Sequence, residues 1–287
     1  SRKVRQGDLF VALPGESTDG HYYLSEAFER GASGALISSK KYINEGQKNI
    51  ILVKDTLCAL QEAARFYRNN LRSKIIGITG SWGKTTTKEL LNSILGQVGK
   101  SYCSPGNLNT QYGLPKALLE MPRKMDFGIF EMGLQYPGDI GDLSQILQPD
   151  LSIITGVGRA HTENFKDLDH LAREKGKIVG GMDESSPIFV NWESNALRDL
   201  NFTGYSLKRF GLGQSHDYDL FAFHLSLDGH RGSNFMFSSP AFGVKELKLH
   251  LRLLGRGNIL NAVGAAGAGL YFGADKESLQ KGLRISP

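Results

Sequence analysis

Gly77-Ile-Thr-Gly-Ser-Trp-Gly-Lys-Thr-Thr86 decides the reading of this chain, because an apolar run leads into it and a helical pattern leads out of it. Residues 74–79 (KIIGIT) have the β-branched content of a buried strand. Residues 85–95 (TTTKELLNSIL) place Leu90, Leu91, Ile94 and Leu95 on one helical face. Gly80 and Gly83 free the backbone between them to aim several N–H groups at one point, and the helix adds the positive end of its dipole. Such a nest holds a polyphosphate. Lys84 is then placed to reach the outer phosphates and the Thr85 hydroxyl to ligate Mg²⁺. Gly80, Ser81, Gly83, Lys84, Thr85 and Thr86 form the candidate ATP-binding set. The usual G-x-x-x-x-G-K-[ST] spacing asks for glycine at 78, where this chain has Ile78, so the strand, turn and helix context carries the assignment.

Working outward, 287 residues are enough for about two domains, and 40% hydrophobic with 22% charged residues is the balance of a globular protein with a sizeable core. The excess of 34 basic over 29 acidic side chains is scattered, with no basic patch interleaved with aromatics, so nucleic acid is not an expected partner. Cys58 and Cys103 stand apart from each other and from any histidine cluster, which points away from zinc and disulfides and toward a reducing, cytoplasmic setting. No apolar run approaches the length of a membrane span. Ser1 in place of Met, and the stop at Pro287, suggest that both ends are incomplete.

In chain order, residues 1–71 read as a small α/β unit, with strands at 8–13, 35–38 and 49–53 and helices from Leu24 to Gly31 and over 57–67. The polar run 68–73 fits a linker. From 72 to 287 strands and helices alternate, which predicts a mostly parallel sheet covered on both faces, with buried strands at 126–132, 151–157 and 187–191. Residues 217–253 change to alternating patterns around a hairpin signal at Asp228-Gly229, an antiparallel annex. The Ala/Gly-rich stretch 256–271 reads as a closely packed helix.

Ligands gather at the carboxyl ends of the strands in such sheets. Glu131 ends one strand, and a carboxylate there needs a cation: either Mg²⁺ shared with Thr85 and ATP oxygens, or a structural salt bridge. His161 follows another strand, as a metal ligand or a structural residue. Lys175, by composition, is one more solvated helix lysine. Asn258 and Asn261, one turn apart, either pair with a purine edge or cap the helix.

Taken together, TGSWGKTTTKE (79–89), EMG (131–133) with PGDI (137–140), ITGVGRAHTENF (154–165), EKGKI (174–178) and GRGNILNA (255–262) resemble the Mur ligases, ATP-dependent amide-forming enzymes of peptidoglycan precursor synthesis. The likeness covers essentially the whole chain. Residues 1–21 look like the uridine-binding first domain of the member that joins D-alanyl-D-alanine to UDP-N-acetylmuramoyl-tripeptide. SPGNLNTQYGLP (104–115) looks like a loop of the same enzyme. The folylpolyglutamate synthetases share the ATPase core but lack that first domain.

The resemblance implies roles residue by residue. Lys84 and Thr85 match the phosphate loop, and Glu131 and His161 match metal ligands. Lys175 matches the lysine that the family carbamylates, and Asn258 and Asn261 match adenine-side asparagines. Ser1, Arg2, His21, Asn107 and Asn109 fall in the substrate-binding segments. Lys84, Lys175 and His161 form the implied catalytic set, with ATP and Mg²⁺ as cofactors and a cytoplasmic monomer as the expected form. Two positions depart from the family pattern: Lys177, where Glu is common, and Trp82, where a small residue is usual. A C-terminal domain that binds the incoming amine is implied but not contained in 1–287, so this chain alone is expected to be inactive. The rival readings are a Mur ligase that adds the third stem residue, or a nucleotide-binding protein without turnover.

Overall fold

The computed structural model describes residues 4–15, 18–44, 49–158, 164–227 and 229–285. It divides into two compact units, Ser1–Phe66 and Tyr67–Pro287. In the first, β1 (Leu9–Val11), β2 (Gly34–Ile37) and β3 (Ile50–Leu52) form a parallel sheet in that order, and α1 (Leu24–Glu29) lies between β1 and β2 in sequence. Phe10, Ala12, Ala35 and Ile37, alternating along two strands, cluster with Leu24 and Ala27 of the helix to make a small core. α1 stops as the chain reaches Gly31 at φ +101°, a conformation that costs a side-chain-bearing residue and that glycine adopts freely.

The division between the units falls inside α2 (Thr56–Asn69), ahead of the polar run 68–73. Arg68 belongs to the second unit by its bonds. Its guanidinium donates to the carbonyls of Leu147 and Gln148 and to Asp150, which satisfies the exposed carbonyl end of a helix.

The second unit is built on one nine-stranded sheet. Its first half comprises β4 (Lys74–Thr79), α3 (Lys84–Leu95), β5 (Ser101–Cys103), α4 (Gly113–Glu120), β6 (Phe127–Glu131), α5 (Asp139–Leu147), β7 (Leu151–Ile154) and α6 (Leu168–Gly176). Then follow β8 (Pro187–Asn191), α7 (Asn195–Arg198), β9 (Ser206–Leu212), β10 (Leu220–Leu227), β11 (Ser233–Ser239), β12 (Val244–Leu251), α8 (Arg256–Tyr271) and α9 (Lys276–Ile285). The order across the sheet is β12-β11-β10-β9-β8-β7-β4-β6-β5. All pairs from β10 to β5 are parallel, and β10, β11 and β12 pair antiparallel.

The mostly parallel sheet with an antiparallel end is the architecture the alternating pattern predicts. The expected annex is corrected in one respect: it continues the main sheet and has a third strand, β11. That strand hides in the sequence because Ser233, Ser238 and Ser239 occupy buried positions beside Phe235 and Phe237, which blurs the alternation. Asp228 of the hairpin signal lies outside the described residues. β7 is shorter than expected because, past Thr155, Gly156 at φ +148° takes the chain off the sheet.

The core lies between this sheet and the helices that cover it. Leu90, Leu91, Ile94 and Leu95 of α3 are fully buried, each contributing about 1.5–3 kcal/mol of burial. α8 packs closely on the sheet through its glycines: a side chain at Gly264 would press on the Phe210 ring, and one at Gly267 on Leu220 and Phe189. Because β4 is flanked by β7 and β6, the carboxyl ends of three adjacent strands open on one place. No helix among the described residues is long and apolar enough to cross a membrane.

Candidate active site

The turn after β4 is held in shape by its neighbours. Ser81 N–H donates to the Gly156 carbonyl at 2.8 Å, and Ser81 Oγ bonds both the Gly158 N–H and its carbonyl at 3.1 Å. Thr155 Oγ1, from the end of β7, donates to the Trp82 carbonyl. The Trp82 ring, 45% exposed, lies across Gly156 and Gly158, where any Cβ would collide with it. Gly83 has φ +77° and precedes Lys84, the first residue of α3, and no side chain caps this helix. Its opening N–H groups are therefore available to an anion. A Cβ at Gly83 would strike the side chain of Asn261, which α8 brings against the turn.

Lys84 lies over the turn, its Nζ 2.9 Å from the Gly80 carbonyl. Burial pulls its amine below the usual lysine range, against the opposing attraction of Glu131. Glu131, 4% exposed, ends β6 with both oxygens engaged: Oε2 accepts from Thr85 Oγ1 at 2.8 Å and Oε1 from Asn109 Nδ2 at 2.9 Å. The salt-bridge alternative for Glu131 finds no support among the described residues. Oxygen donors from a hydroxyl and a carboxylate, converging at the helix start, suit a hard ion such as Mg²⁺, which takes few protein ligands and completes its shell with phosphate and water.

Lys175 corrects the composition-based expectation of a solvated lysine. It is 3% exposed on α6, and burial together with the nearby Lys84 brings its pKa down to about 7. Lys177 Nζ sits 2.6 Å from Glu174 Oε1, while Glu174 Oε2 accepts from the Gly138 N–H at 2.7 Å. Lys177 thus answers the buried Glu174 rather than Lys175.

Of the other sequence candidates, Thr86 lies in the first turn of α3, half-buried. Asn258 Nδ2 donates to the Leu254 carbonyl at 2.8 Å, just ahead of α8, and does not cap the helix N–H groups. Asn109 reaches Glu131, whereas Asn107 is exposed in the same loop. His21 is buried, with Nε2 accepting from the Ser38 N–H and Nδ1 on Asp19, so both ring nitrogens are spent on scaffolding. Ser1, Arg2 and His161 lie outside the described residues. Sequence reasoning passed over Lys88, a lysine buried one turn beyond Lys84, and Ser104, because neither residue type in a polar-looking stretch signals burial.

A glycine-rich strand-to-helix turn at the carboxyl edge of a parallel sheet, with a lysine and a hydroxyl opening the helix, defines a P-loop ATPase-type domain. The particular lineage follows from comparison. The Mur ligase middle domain matches residues 78–269, and residues 1–68 match the Mur ligase family catalytic domain; the chain belongs to the Mur ligase family. The UDP-N-acetylmuramoyl-tripeptide--D-alanyl-D-alanine ligase of Bacillus subtilis is 34% identical over 286 residues, covering 99% of this chain and 60% of that protein. MurF from Acinetobacter baumannii superposes with a TM-score of 0.87 at 28% identity, over 100% of this chain and 61% of that one. MurF ligase from Thermotoga maritima, solved in complex with ADP, gives 0.84 at 28% identity, over 97% of this chain and 64% of that one. The chain thus spans about three-fifths of the length of these relatives.

Proposed function

We propose that this chain is the substrate- and ATP-binding part of a ligase that joins D-alanyl-D-alanine to UDP-N-acetylmuramoyl-tripeptide. The observation that carries the proposal is the convergence of Lys84, Thr85, Glu131 and Lys175 at the turn between β4 and α3, in a chain whose relatives bear that activity in their names. The free N–H groups at the start of α3 and the Lys84 amine take the β- and γ-phosphates of ATP, and Lys84 leaves the Gly80 carbonyl to do so. Thr85, Glu131 and His161 would hold Mg²⁺. The ion neutralises phosphate charge when bound.

A carboxylate oxygen of the tripeptide attacks the γ-phosphorus, and the bond to the bridging oxygen breaks to release ADP. Lys84 stabilises the charge on the moving phosphoryl group. The amine of D-alanyl-D-alanine then attacks the acyl phosphate carbon, the C–O bond to phosphate breaks and the amine proton leaves. An amide, ADP and phosphate result. Lys175 contributes through its lowered pKa: at neutral pH about half of it is the free amine. That amine adds to CO₂, forming an N–C bond and releasing a proton, and so becomes an anionic ligand beside the phosphates. The first unit takes the uridine end of the substrate, and the protein acts as a cytoplasmic monomer.

Lys84→Ala in the full-length protein tests the phosphate-loop part. ATP-dependent phosphate release should vanish while the melting temperature stays within about 5 °C. Near-normal turnover in this variant would overturn the assignment.

A further inference from the structure

Lys88 is among the largest fully buried side chains of the described residues, 1% exposed, and nothing in the proposed chemistry uses it. It lies on α3 one turn beyond Lys84, and its Nζ donates to the carbonyl of Ser104 at 2.7 Å, with the Gly106 carbonyl at 3.5 Å and Glu89 Oε1 at 3.3 Å. An amine kept this far from water must be matched by strong acceptors. The acceptors are backbone carbonyls of a loop, with the neighbouring Glu89 carboxylate as counter-charge.

That loop connects directly to the metal-side carboxylate. Ser104 is clamped three ways: its N–H bonds the Ile129 carbonyl at 2.9 Å, its Oγ accepts from the Glu131 N–H at 3.3 Å, and its carbonyl takes Lys88. Five residues on, Asn109 holds Glu131 Oε1, and the Asn109 carbonyl accepts from the Gly133 N–H at 2.7 Å. A side chain at Gly133 would press on Asn109, so the loop sits directly on the strand exit. Thr85, on the same helix as Lys88, holds the other oxygen of Glu131.

We propose that Lys88 is a positioning residue for the Mg²⁺ site: by tying the 104–109 loop to the helix that carries Thr85, it fixes the Glu131 carboxylate between Asn109 and Thr85. Without it, the buried Ser104 carbonyl loses its donor, the loop moves outward and Glu131 loses its orientation. The inference rests on the phosphate-loop reading. Groups that orient a ligand from behind typically govern metal affinity by about 10–100-fold.

The test is calorimetric ADP binding by the full-length protein, with and without Mg²⁺. If the wild type binds no nucleotide in a Mg²⁺-strengthened way, the underlying reading fails rather than this one. Given that it does, Lys88→Met should raise the Mg²⁺ midpoint about tenfold or more while changing Mg²⁺-free ADP affinity less than about twofold. Asn109→Ala should produce the same shift, and the double variant should be no worse than either single one, since both act through one carboxylate. Lys88→Gln, which keeps an N–H donor group without the charge, should recover part of the midpoint and serves as the test variant if Lys88→Met does not fold. An unchanged Mg²⁺ midpoint, an equal loss with and without Mg²⁺, or additive shifts in the double variant would each overturn the proposal.

Discussion

Lys175 is buried beside Lys84 and titrates near 7 in the folded chain, against 10.5 for the same group in water. Between these values the unfolded chain holds a proton that the folded chain lacks, so stability rises with pH across that window. Below about pH 7 both states are protonated and the full cost of burying the charge is present, of the order of a few kcal/mol. Lys175→Met should therefore stabilise the unliganded protein by up to a few kcal/mol at pH 6, with a gain that fades toward pH 10. Urea denaturation in CO₂-free buffer measures this, and an equal gain at both pH values would contradict it. The residue also shows what sequence carries and what it does not. Gly80, Gly83, Lys84 and Thr85 are legible because their roles depend on neighbours within one strand-turn-helix unit. Lys175 reads as solvated and Lys88 draws no notice because their burial is imposed by segments distant in sequence, the Ser104 carbonyl for Lys88 and the phosphate loop for Lys175.

The strand β4, the turn and α3 act as one element, and Gly83 is its tightest point. Gly83→Ala forces a side chain into φ +77° and into Asn261, which should cost about 2–4 kcal/mol of stability and remove nucleotide binding. Combining it with Asn261→Ala should restore the steric part of the stability but not the dihedral part, a partial recovery that chemical denaturation can read. At the other end of the same sheet, Arg68→Ala leaves the carbonyls of Leu147 and Gln148 and the Asp150 carboxylate without their donor, for an expected loss of about 2 kcal/mol. Elements with a strong local signature are visible in the sequence: the apolar runs of β4 and β6, the one-sided apolar face of α3 and the Ala/Gly-rich α8. β5 is too short, and β9 and β11 too polar along their length, for the period to show. Their places are set by pairing with strands already in the sheet.

The two units carry cores of very different size: a small cluster around Phe10, Leu24 and Ile37 in the first, and a far larger one between the nine-stranded sheet and α3, α8 and α9 in the second. A unit of the first kind buries less of its surface and should open at lower free energy. Amides of β2 are accordingly expected to exchange faster than those of β4 and β7 in native-state hydrogen exchange, and uniform protection across both units would contradict this. The central claim is that the site drives amide formation by moving the γ-phosphoryl group onto the substrate carboxylate. It is tested most directly by supplying the full-length protein with ATP, D-alanyl-D-alanine and UDP-N-acetylmuramoyl-tripeptide labelled with ¹⁸O in its terminal carboxylate, and weighing the phosphate released. One ¹⁸O atom per phosphate is the expected result. Unlabelled phosphate, or label appearing in AMP, would contradict it.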